Sequence, residues 1–112
     1  MQITAPIVSM IAYKTWCINE YGMDAMFLLE GEEKALLIDT GTGTFDVKAL
    51  CETLTNKPLM VACTHGHVDH VGGIGFFDEV YLHEDDFEAT RTLDIETRKF
   101  YVRMMNGMSG GL

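Results

Sequence analysis

Three of the chain's four histidines fall in one window, Thr64-His65-Gly66-His67-Val68-Asp69-His70, with an aspartate among them. That concentration of imidazole and carboxylate is the raw material of a metal site. Residues two apart on an extended chain point the same way, so His65 and His67 converge if the preceding strand persists that far. A turn then brings in Asp69 and His70. Nitrogen and oxygen donors of this kind suit zinc, and also iron or manganese, so the spacing speaks for a metal more firmly than for its identity. The competing reading is a polar loop of solvated histidines.

The elements around the window have to hold it in place. The apolar run at 59–63 reads as a strand leading into the first histidine. Upstream, the apolar runs 25–29 and 34–38 flank Glu30-Gly31-Glu32-Glu33 and predict a β-hairpin, whose near-continuous apolar strands imply burial on both faces. The second hairpin strand ends in Asp39-Thr40-Gly41-Thr42-Gly43. A helix is expected next, with Thr44 as N-cap, Asp46 in its first turn, and Val47, Leu50, Cys51 and Leu54 on one face. Strand, helix, strand then implies a crossover within one sheet. Residues 3–19 are strand material, 79–83 predict a further strand, and Glu84-Asp85-Asp86 suit a helix start. The pattern from Phe87 onward is helical with a break near Asp94, and 108–112 have no periodicity. The expectation is a single α/β unit over 1–107 with a flexible tail at 108–112.

Composition narrows the function classes. Seventeen acidic against 8 basic residues give a formal charge of -9 over 112 residues. A field of that sign repels phosphate backbones and anionic lipid, so neither nucleic acid nor a membrane is an expected partner. It mildly favours divalent cations. Cys17, Cys51 and Cys63 are widely spaced in apolar surroundings, which predicts reduced, buried thiols. No apolar run approaches the roughly 18 residues of a membrane span, and a cytoplasmic location is expected.

The window 64–70 resembles the HxHxDH signature of metallo-β-lactamase-fold hydrolases. The similarity extends to Leu36-Leu37-Ile38-Asp39-Thr40-Gly41, which looks like that family's strand ending in an Asp-Thr-Gly turn, and to Gly72-Gly73 after the last histidine. The resemblance implies one or two divalent ions, zinc before iron or manganese. His65 and His67 would serve the first ion, Asp69 and His70 the second, with Asp69 the candidate catalytic carboxylate. Asp39 would stand behind the ligands and orient an imidazole; its alternative role is to cap the turn at Thr42–Thr44. The implied chemistry is attack of a metal-activated hydroxide on a small ester, thioester, lactone or lactam.

The same resemblance implies a third histidine, a bridging aspartate and a final histidine downstream. His83 follows too closely to supply one and reads as an exposed strand-end residue, while Asp85, Asp86 and Asp94 read as helix-start residues. The implied fold is therefore the N-terminal half of an αββα sandwich, a mixed sheet with two or three helices. Two readings follow. The chain is a truncated and by itself inactive piece of a hydrolase, or it is a non-catalytic domain that covers its sheet by homo-oligomerising, with incomplete or shared metal sites.

Overall fold

The computed structural model describes residues 6–20, 22 and 24–86. Five strands, β1 (Ile7–Ala12), β2 (Thr15–Glu20), β3 (Asp24–Glu30), β4 (Ala35–Ile38) and β5 (Leu59–Ala62), form one sheet in sequential order. The first three pairings are antiparallel and β4 with β5 is parallel, so the sheet is mixed as expected. Helix α1 (Val47–Leu54) makes the crossover, and a single turn of helix, α2 (Val68–Val71), follows β5.

Local sequence accounts for these elements with three corrections. The strand material of 3–19 divides into β1 and β2 at Tyr13-Lys14, where Lys14 takes a left-handed φ of 52° and its ammonium pairs with Glu30 at 3.2 Å. The N-cap of α1 is Asp46, which accepts from the Ala49 amide at 2.9 Å; Thr44 is drawn away to a buried carboxylate described below. The expected strand at 79–83 contracts to one parallel bridge, Ala62 with Tyr81, in which Cys63 N donates to Tyr81 O and Tyr81 N to Val61 O, each at 2.8 Å. The predicted helix from Phe87 and the tail at 108–112 lie outside the described residues.

The hairpin stands where the sequence placed it, with Phe27 opposite Ile38 and Glu30 opposite Ala35. Its burial alternates. Met26, Leu28, Ala35 and Leu37 are at most 1% exposed and pack with Ile18, Val47, Cys51 and Val61 under α1. Each fully buried side chain of this size contributes roughly 1.5–3 kcal/mol. The opposite face carries the register-matched row Cys17, Phe27, Ile38 and Ala62, all only half-buried, flanked by the exposed Leu29 and Met60. Among the described residues, the expected cover on both faces is present on one. Among the described residues no helix is long and apolar enough to cross a membrane.

Candidate metal centre

Two backbone segments build the site. The turn after β4 runs through residues 39–44, and α2 lies directly on it. The Thr40 amide donates to His70 O at 2.8 Å and the Gly72 amide to Gly41 O at 2.8 Å, while Thr40 Oγ1 donates to His70 O and accepts from the Gly73 amide. The contact is backbone against backbone. A Cβ on Gly72 would lie 2.2 Å from the Thr42 carbonyl, and one on Gly73 would lie 2.4 Å from Thr40 O, so both positions require glycine.

Asp39 is the hub. It holds a left-handed φ of 67°, which costs a non-glycine residue energy and persists only where surrounding bonds enforce it. Those bonds are present: Oδ1 accepts from the Thr64 amide at 2.7 Å, and Oδ2 lies 2.9 Å from Thr64 Oγ1 and 3.0 Å from His70 Nδ1. Its alternative role at the Thr42–Thr44 turn is not what it does; that turn is held by Glu20.

The bonds set two histidine tautomers. His70 donates its Nδ1 proton to the Asp39 carboxylate, which leaves Nε2 as the free lone pair, 3.5 Å from Asp69 Oδ2. Thr64 has one hydroxyl proton. Given to Asp39, it leaves Oγ1 to accept from His65 Nδ1 at 2.9 Å, so His65 also presents Nε2. The rings gather: the His65 centroid is 4.1 Å from His70 and 4.7 Å from His67. His67 is exposed at the N-terminus of α2, and Asp69 and His70 are partly buried.

Of the four expected ligands, His65 lies against the His67 and His70 rings and Asp69 lies beside His70, while Asp39 is bonded to His70 Nδ1. The donor types and the free Nε2 atoms fit a divalent ion. Among the described residues, however, no three His, Cys, Asp or Glu side chains are placed so that together they could hold one. His83 lies apart, exposed, with Nδ1 3.5 Å from Asp85 Oδ2. Cys63 and Cys51 are buried, and burial pushes both thiols up to about 12, so neither is a thiolate at neutral pH.

Sequence reasoning missed two acids beneath the site. Glu20 is fully buried and accepts from Thr42 N at 2.9 Å, Thr42 Oγ1 at 3.1 Å and Thr44 Oγ1 at 3.4 Å. Asp24, its register partner across β2 and β3, is 8% exposed, and among the described residues neither of its carboxyl oxygens meets a donor. Burial first, then the neighbouring Glu20 charge, pushes the Asp24 carboxyl up to about 9, with smaller contributions from Asp69 and Asp39. The available signal was Asp24 itself, an acid opening an apolar strand.

Comparison with known proteins agrees with this architecture. The chain is 32% identical over 76 residues to the human acyl-coenzyme A thioesterase MBLAC2, covering 57% of this chain and 27% of that protein. It is 39% identical over 74 residues to a UPF0173 metal-dependent hydrolase of Xanthobacter autotrophicus, covering 63% and 28% respectively. The fold superposes on the metallo-beta-lactamase FIM-1 of Pseudomonas aeruginosa with a TM-score of 0.65 at 18% identity, covering 81% of this chain and 47% of that one. The chain thus spans about a quarter of the curated relatives and about half of that solved structure. The family model described as the metallo-beta-lactamase superfamily matches residues 22–83, more than half of the chain, and to that superfamily the chain belongs.

Proposed function

We propose that this chain carries the first half of a zinc-dependent hydrolase centre, with His65, His67, Asp69 and His70 as its ligands. The observation that carries the reading is the Asp39 hub, which fixes the His70 tautomer, reaches His65 through Thr64, and so leaves two Nε2 lone pairs in one cluster. A bound divalent ion would supply Lewis acidity toward a carbonyl oxygen and lower the pKa of a water. The chain's own residues do the preparatory work. Asp39 keeps the His70 imidazole oriented and its Nδ1 proton held, and the α2 turn sets Asp69 against His70 Nε2 at 3.5 Å.

Thioesters are the proposed substrate class, with esters, lactones and lactams beside them; the support is the similarity to a protein named as an acyl-coenzyme A thioesterase. The full activity is proposed to need the further ligands of a second half, and the 112-residue chain alone to be inactive. Zinc analysis after dialysis against a mild chelator tests this. Substoichiometric zinc, weakened further in His67→Ala, is the expected result. Near-stoichiometric zinc retained by the chain would contradict the half-site reading.

The half-buried row Cys17, Phe27, Ile38 and Ala62 favours a second reading, a homo-oligomer whose sheets cover one another. Light scattering separates the two. A stable monomer at high concentration removes the oligomer.

A further inference from the structure

Glu20 and Asp24 are adjacent across β2 and β3, both buried, on the face that supports the 39–44 turn. Among the described residues no cation lies against them, and two neighbouring carboxylates without a counter-charge are unfavourable as a pair of ions in an apolar interior. Glu20 meets three donors from the turn, which suits the ionised form. Asp24 meets none, so as an ion it would be an orphan. As an acid it gains a donor, and Glu20 is the acceptor beside it.

The turn that Glu20 grips is the one on which α2 rests. A Cβ at Gly41 would lie 2.4 Å from Glu20 Oε1, so the carboxylate fills the underside of the turn. From there the contacts run from Gly41 O to the Gly72 amide and from Thr40 to His70 O. Among the described residues, the charged groups that act on Asp24 are Glu20 on β2, Asp69 on α2 and Asp39 after β4, all negative, and each favours a neutral Asp24.

We propose that Asp24 and Glu20 form a proton-sharing acid–carboxylate pair, and that this pair is a positioning device which holds the 39–44 turn and, through it, His70. The relevance to a metal ligand rests on the function proposed above, but the pair is read out without metal, so the two fail separately. The proton moves nowhere in this device; it stays between Asp24 Oδ and Glu20 Oε.

Carboxyl NMR on the chain labelled with ¹³C in Asp and Glu tests the pairing directly. One Asp carboxyl is expected to stay protonated at neutral pH and to vanish from the spectrum in Asp24→Asn. Amide exchange tests the positioning. Asp24→Asn, which retains a donor to Glu20, should keep the protection of the Thr42 and Gly72 amides, whereas Asp24→Ala should lower it about tenfold, the loss of one such hydrogen bond. In the unsubstituted chain that protection should fall as pH rises through the Asp24 titration, beyond the fall in Asp24→Asn. An ionised Asp24 at neutral pH would overturn the pair, whatever cation is then found beside it. Unchanged protection in a folded Asp24→Ala would overturn the positioning role. If Asp24→Ala does not fold, the carboxyl spectrum and the pH profile of Asp24→Asn still decide.

Discussion

Asp39 joins two demands in one side chain, a left-handed backbone and an acceptor for Thr64 and His70. Asparagine tolerates that backbone and keeps one acceptor oxygen, so Asp39→Asn and Asp39→Ala separate the roles. Asp39→Ala is expected to cost about 1–3 kcal/mol in urea unfolding, because it strands the Thr64 amide and the His70 proton. Either change should weaken zinc uptake by roughly 10- to 100-fold in a chelator competition, the usual effect of losing a group that orients a ligand. Asp24 makes a pH prediction with the opposite sign from an ordinary salt-bridged aspartate. Its folded pKa of about 9 lies above the usual carboxylate range, so between the two the folded chain holds a proton that the unfolded chain has lost. Stability should therefore fall as pH rises from about 4 to 9, and Asp24→Asn should flatten the urea midpoint over that window. At this scale the candidate ligands stood out because their residue types and spacing are local. The acids beneath them were not, because Glu20 faces Asp24 only through strand register, and Thr42 is 22 residues from the carboxylate it bonds.

The elements that carry the site are short, and their fit decides more than their propensity. Helix α2 has four residues, too few to be stable alone, and it owes its place to the backbone bonds with 39–44. Gly72→Ala is expected to be severely destabilising, since the Thr42 carbonyl it would strike is backbone and has nowhere to move. Gly75→Ala is the control: nothing lies within 4 Å of its added Cβ, and thermal melts should show little change. The hairpin, the crossover and the glycine pair were all legible, since apolar runs, a helical period and small residues mark them locally. The cap of α1 and the strand at 79–83 were not. Thr44 is a good cap by type, but Glu20 competes for its hydroxyl. The strand pattern around Tyr81 meets a sheet edge that pairs with it at one point.

Among the described residues, the sheet has one face dressed by a helix. Helix α1 covers Met26, Leu28 and Leu37, and the row through Phe27 and Ile38 is left half-buried. Phe27→Asp is expected to reduce concentration-dependent association in light scattering while sparing the Asp39 bonds, which lie at the sheet's end. A chain already monomeric at high concentration would refute the face as a contact surface. The reach of the Asp39 bonds bears on the order of folding. Asp39 meets Thr64 across 25 residues and His70 across 31, and both bonds span the whole of α1 and β5. Contacts of that reach form only after the crossover between them has been laid down, because the loop-closure entropy must be overcome first. The His70 tautomer is expected to be set late in folding, so a proton signal from the His70 ring should lag the hairpin signals in a refolding experiment.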